Sequence, residues 1–155
     1  MTRATDPRVP WLSIVFGYGP MLPLVAAAIG AWFLPEPWPP IAVLLAITWA
    51  AIILAFIGGV RRGFGFGRDR ASTPAEVVAA IAYLTLAGLS LVVPRPSVAL
   101  ALLVVGYLLA AILDRRAALA GNAPLHFARL RPPQLCLGAL ALATLWAWLL
   151  FGGPR

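Results

Sequence analysis

Acid–base and metal chemistry need positioned titratable side chains, and the acids, histidine and cysteine of this sequence are Asp6, Glu36, Asp69, Glu76, Asp114, His126 and Cys136. The five acids are scattered in tails or near the ends of apolar runs, and Asp114 reads as a structural partner of Arg115 or Arg116. His126 is the sole histidine, which rules out a multi-histidine metal site and bis-histidine haem ligation within one chain. A single axial ligand is the most it could supply, and a surface or packing role is the expectation. Cys136 is the sole cysteine and sits in an apolar run, so neither an intrachain disulfide nor a thiolate cluster can form, and a small core residue is expected. The run Gly63-Phe64-Gly65-Phe66-Gly67 has the spacing of a phosphate cradle. No strand precedes it and no Lys-Ser/Thr pair follows, so it reads as an interfacial loop anchored by Phe64 and Phe66. No catalytic residue, cofactor or metal is expected, and the sequence reads as a non-enzyme.

The elements that would position these groups are membrane helices. Apolar content is 62%, charged content 11% and mean hydropathy +0.93, far from the roughly 45–50% apolar and about 25% charged of soluble domains. The net charge of +7 comes from 12 arginines and no lysine against 5 acids. These arginines flank apolar runs and build no basic face on a soluble domain, so nucleic acid is not an expected partner. A bilayer core of about 30 Å needs about 20 apolar residues per helix. Five runs satisfy this, at about 11–34, 41–60, 75–93, 96–113 and 133–151, leaving tails at 1–10 and 152–155. The fold class is therefore all-α, a polytopic bundle of five transmembrane helices forming a single domain over 11–151. The first nine residues are too short and too mixed in sign for a mitochondrial presequence, which favours the bacterial inner membrane. Ala26-Ala27-Ala28 could mimic a signal-peptide cleavage site, but Pro20 and Pro23 interrupt the region and apolar residues continue through Leu34.

Within the first run, Gly17, Gly19, Pro20 and Pro23 predict a kink or break, because proline removes a helical donor and clashes with the preceding turn. In a bilayer such a break must face neighbouring helices or a cavity. Thr73-Pro74-Ala75-Glu76 reads as a capping box opening the third helix. Asn122 is expected to cap a short interfacial helix with Pro124 in its first turn. Trp49, in the middle of the second run, needs an acceptor for its indole N–H, expected on another helix.

Arg3, Arg8, Arg61, Arg62, Arg68, Arg70, Arg115, Arg116, Arg129 and Arg131 fall on one side, and only Arg95 and Arg155 on the other. The positive-inside rule then places the N-terminus in the cytoplasm and the C-terminus outside. Trp32, Trp38, Trp146, Trp148 and Phe151 form the outer aromatic belt and Trp11 belongs to the inner one. Gly17, Gly19, Gly30, Gly58 and Gly59 are the expected close helix contacts. Arg61, Arg62, Arg115, Arg116, Arg129 and Arg131 are the expected contacts to anionic lipid headgroups on the cytoplasmic side. No ionisable residue falls in the middle of any span, which argues against a pump or coupled transporter.

Phe56-Ile57-Gly58-Gly59-Val60-Arg61 with Gly63, and Asp114-Arg115-Arg116 followed by Pro124 and Phe127 to Arg131, resemble an uncharacterised family of small membrane proteins. That family is found in proteobacteria and includes the mitochondrial transmembrane protein 69. The opening Gly17-Tyr18-Gly19-Pro20, leading to Leu22-Pro23, looks like the family's first helix, so the resemblance spans nearly the whole chain. The chain departs at Arg62, where the family usually has Trp before the glycine. The resemblance implies a helical inner-membrane protein and no established reaction.

The expected function is that of a non-catalytic accessory or assembly subunit of a larger energy-transducing membrane complex, with a membrane-protein partner or a second copy of the chain against its small-residue faces. The alternative is a small carrier or channel for neutral or lipid-like molecules, using the break at 17–23. A lipid-modifying enzyme, motivated by His126 and its arginine-rich loop, comes third.

Overall fold

The computed structural model describes residues 10–63 and 73–152. Phe64 to Gly67 of the glycine–phenylalanine run, and Arg3, Arg8, Arg68, Arg70 and Arg155, lie outside these residues. Among the described residues all regular secondary structure is helical. The elements are α1 (Trp11–Tyr18), a single 3₁₀ turn at Gly19–Met21, α2 (Leu22–Phe33), α3 (Trp38–Gly63), α4 (Pro74–Val92), α5 (Pro96–Leu119) and α6 (Phe127–Phe151). Five helices, counting α1 to α2 as one, are long and apolar enough to cross a membrane.

The break in the first span falls where the prolines require it. Pro20 lies in the 3₁₀ turn and Pro23 in the first turn of α2, where a missing N–H costs least. The break faces the bundle: Gly17, Met21 and Leu24 are buried. Trp49 Nε1 of α3 donates to the Pro20 carbonyl at 2.9 Å, which supplies the expected acceptor on another helix. Both halves of the capping box at α4 are present. Glu76 N donates to Thr73 Oγ1 at 3.3 Å and Thr73 N donates to Glu76 Oε2 at 2.9 Å.

Three helices overrun the apolar runs that predict them. α3 starts at Trp38, because its prolines occupy the first turn, and continues through Arg61 and Arg62. α5 continues past Asp114 to Leu119, since Arg, Ala and Leu are good helix formers and nothing before Gly121 stops them. There the chain turns: Gly121 takes φ +75°, its N–H bonds the Ala118 carbonyl at 3.2 Å, and the Asn122 N–H bonds the Ala117 carbonyl at 2.7 Å. This is a Schellman closure. Asn122 thus ends α5 instead of capping a separate interfacial helix, and the segment from Phe127 joins the last span as one helix running through Pro132 and Pro133. Those prolines withhold donors from the carbonyls of Ala128 and Arg129, near the helix start where water can serve them.

α5 packs along α6 and α3 along α4, while α2 lies against both α3 and α6. The inward faces interleave many alanines with leucines and two tyrosines, Tyr83 and Tyr107, while bulky apolar side chains such as Phe16, Phe33, Leu44, Phe56 and Leu140 point outward. That inversion suits a bilayer, where lipid tails are as apolar as leucine and helix contact depends on close packing. Two glycines outside the expected set make the tightest crossings. A Cβ on Gly106 would lie 2.4 Å from Leu54 Cδ2, and one on Gly138 would lie 2.6 Å from Tyr107 Cε1. Trp148 turns into the core instead of joining the outer belt, and Cys136 faces outward instead of inward.

Candidate functional site

Four helices bring ionisable and polar groups together at one end of the bundle, where α3 ends and α6 begins. Along α3 the inward stripe runs Val43, Ile47, Ala50, Leu54, Ile57, Arg61, so helical periodicity points Arg61 inward. On α5 the stripe Leu103, Tyr107, Ala110, Asp114 does the same for the carboxylate, and on α6 Arg131 and Gln134 open a stripe that continues through Gly138. α4 contributes Tyr83. The glycine at 58 allows α4 to come close, since a Cβ there would stand 3.1 Å from the Ala80 carbonyl oxygen and 3.5 Å from Tyr83 Cβ.

Asp114 is the hub and is 5% exposed. Arg61 Nη1 donates to Asp114 Oδ1 at 2.7 Å and to the Leu113 carbonyl at 3.1 Å. Tyr83 Oη donates to the same carboxylate oxygen at 3.2 Å. Arg131 Nε stands 3.9 Å from Asp114 Oδ2, and its guanidinium carbon lies 4.6 Å from the centroid of the Phe127 ring. A carboxylate this deep is stable only if paired and hydrogen-bonded, and Asp114 has both. Two guanidinium groups against one carboxylate leave the cluster with one excess positive charge.

The cluster corrects the pairing expected from sequence. Arg115 and Arg116 are exposed and do not meet Asp114, because neighbouring helical positions point to different faces. Arg61 and Arg131, expected at lipid phosphates, lie inside the bundle against Asp114, while Arg62 is half-buried and Arg129 exposed. Among the expected glycine contacts, Gly58 meets α4 and Gly17 meets the Gln134 side chain of α6. Gly30 meets only Leu34, four residues on, whereas Gly19 and Gly59 have open space where a Cβ would go. His126 packs edge-on against Phe127 at 4.9 Å, and burial, with the Arg131 charge second, lowers its pKa. No three His, Cys, Asp or Glu side chains converge on a metal site among the described residues.

A cavity of about 230 Å³ opens beside the cluster, between the break, α3 and α6. Gly17 and Pro20 form its wall at the break, Ile57 and Val60 line it from α3, and Arg131 and Gln134 from α6. Gln134 is 4% exposed and its Oε1 has no hydrogen-bond partner. A buried acceptor left without a donor costs about 1–3 kcal/mol, so this oxygen marks a place for one. Glycine at position 17 leaves room for it, since a Cβ there would sit 3.1 Å from Oε1. Two further grooves open on the surface: an apolar one of about 240 Å³ between α2 and α6, and one of about 400 Å³ between α3 and α4, lined by Gly58, Gly59 and Ala80.

The arrangement can hold an amphipathic molecule. It offers a fixed cation, an unsatisfied acceptor, the Ser13 hydroxyl and apolar walls. Residues 9–150 match a family model described as "Protein of unknown function (DUF3429)". No curated protein and no solved structure matches.

Proposed function

We propose, for a chain that belongs to the DUF3429 family of proteins of unknown function, a role as a non-catalytic protein of the bacterial inner membrane that takes up a lipid-like molecule beside the break at 17–23. The observation that carries this reading is the cavity between the break, α3 and α6, with Arg131 and the unpartnered Gln134 Oε1 at its polar end. The accessory-subunit reading of the sequence rests on Gly58 and Gly59, on the alanine-rich first helix, and on five spans without buried ionisable groups. Burial of Arg61, Asp114 and Arg131 inside the bundle weakens that premise, since buried charges in membrane proteins are costly and are kept where they serve function.

The N-terminus is placed in the cytoplasm and the C-terminus outside, on the arginine bias. Exposed Arg115, Arg116 and Arg129 then meet anionic headgroups on the cytoplasmic side. Kinship with mitochondrial transmembrane protein 69 belongs to the same proposal and rests on Phe56 to Arg61 and on the pattern from Asp114 to Arg131.

The test is lipid retention. Protein purified in mild detergent is expected to carry amphiphiles that native mass spectrometry detects, and a Ser13→Trp variant, which fills the cavity from α1, is expected to lose them. Equal retention by both proteins would remove the reading. The accessory-subunit reading stays second, favoured by the α3–α4 groove whose glycines let a partner helix approach. A partner recovered by mild-detergent purification and lost on Gly59→Leu would promote it.

A further inference from the structure

We propose that the cavity beside the break is a binding site for an anionic phospholipid whose headgroup carries a hydroxyl beside its phosphate, the chemistry of a phosphatidylglycerol. This rests on the proposed lipid-like occupant and adds its charge and its hydrogen-bonding pattern. Three observations converge. First, Arg61 and Arg131 face the single carboxylate of Asp114, so one positive charge is left over in a setting where charges must be matched. Second, the two arginines are not equally committed. Arg61 holds the carboxylate at 2.7 Å and the Leu113 carbonyl at 3.1 Å, whereas Arg131 stands 3.9 Å from the second carboxylate oxygen and also lines the cavity. Arg61 Nε is also without a partner but does not line the cavity, so Arg131, which makes no hydrogen bond to Asp114 and is 8% exposed, is the member of the pair whose donors can meet an occupant. Third, Gln134 Oε1, on the same wall and one helical turn further in, is a buried acceptor without a donor.

An occupant that satisfies both must present an anionic acceptor to Arg131 and a donor to Gln134. A bare carboxylate lacks the donor, and a neutral diacylglycerol lacks the charge. A phosphodiester with a headgroup hydroxyl has both, and phosphatidylethanolamine, which also has both, brings an ammonium that leaves the excess positive charge unmatched. Depth agrees: Arg131 is four residues into α6, so about 6 Å below its start at 1.5 Å per residue, within reach of a phosphate. Beyond the polar end the walls are Phe16, Ile57 and Val60, against which the acyl chains can leave toward the bilayer.

The experiment incubates the full chain, delipidated in detergent, with mixed micelles containing phosphatidylglycerol, phosphatidylethanolamine or diacylglycerol, and separately with glycerol 1-phosphate. Bound molecules are counted by native mass spectrometry. One phosphatidylglycerol is expected, held about tenfold or more above the other three probes. Gln134→Leu and Arg131→Gln are each expected to lower that retention about tenfold, and Ser13→Trp to abolish it. Diacylglycerol retained as well as phosphatidylglycerol overturns the anionic assignment and leaves the lipid-cavity reading standing. Phosphatidylethanolamine retained equally overturns the assignment in the same way, and glycerol 1-phosphate bound equally replaces the lipid with a soluble anion. Phosphatidylglycerol retained undiminished by Ser13→Trp overturns both readings. Gln134→Leu touches no charge of the cluster, so it decides the matter even if Arg131→Gln disturbs the fold.

Discussion

Replacing Asp114 by asparagine tests whether the buried cluster holds the bundle together or merely sits in it. The substitution keeps an oxygen for Tyr83 and Arg61 but leaves two guanidinium groups facing each other without a counter-charge. Breaking a buried ion pair from one side costs about 3–5 kcal/mol, and the Asp114→Asn variant is expected in that range. The two arginines contribute unequally. On distance alone the attraction at 3.9 Å is about 0.7 of that at 2.7 Å, and only the shorter contact is a hydrogen bond. Arg61→Gln strips Asp114 of its main partner and is expected to cost about 3 kcal/mol, the lower end of that buried-pair range. Arg131→Gln removes the excess charge and leaves a one-to-one pair, so it is expected to cost about 1 kcal/mol or less, the value of an ordinary hydrogen bond. Reversible unfolding in mixed micelles, followed by tryptophan fluorescence, supplies the free energies. A double-mutant cycle of Asp114→Asn with Arg61→Gln should return a coupling of about 1.5–3 kcal/mol, and the same cycle with Arg131→Gln a coupling below about 1 kcal/mol. A coupling near zero for the first pair, or a larger one for the second, refutes the reading of Arg61 and Asp114 as the structural pair and Arg131 as the group held for an occupant.

Gly138→Ala forces a methyl group to within 3 Å of Tyr107 and Met21 and strains the Tyr107 bond to the Ala50 carbonyl, so it should destabilise by about 1–3 kcal/mol in the same assay. Gly59→Ala meets open space on an outward helix face, so it should be neutral or stabilising by up to about 1 kcal/mol. Trp49→Phe removes the donor to the Pro20 carbonyl and should cost about 0.5–1.5 kcal/mol, with hydrogen exchange quickening at the break. His126 has a folded pKa below the usual 6.5, so its contribution is intact above 6.5 and is lost as pH falls through 6.5 toward the folded value. A small loss of stability between pH 7 and pH 5, absent in His126→Asn, is the expected result, and an NMR titration midpoint above 6.5 would contradict it.

The spans, the break at Gly17 to Pro23 and the capping box at Thr73 could be read from the chain because each has a local cause: run length, missing donors, and a side chain reaching its own backbone. The ends of α3, α5 and α6 could not be placed by hydropathy, since a helix does not stop where apolar residues stop. Arg61 illustrates the boundary most clearly. Its position directly after the uncharged run 41–60 marks the end of a span, and that much is a property of the sequence. The stripe from Val43 to Arg61 at alternating spacings of three and four also contained the signal that Arg61 faces inward, as did the stripes ending at Asp114 and opening at Arg131. Those stripes are built of small residues with some leucine and isoleucine, and hydrophobicity alone cannot separate an inward face from a lipid-facing one when both solvents are apolar. Which helices are neighbours decided the rest. Only the packing of α3 against α4 at Gly58, and of α5 against α6 at Gly138, brings Arg61, Tyr83, Asp114 and Arg131 together from four separate helices. Charge pairing across helices is a long-range fact, and no local rule of helix formation encodes it.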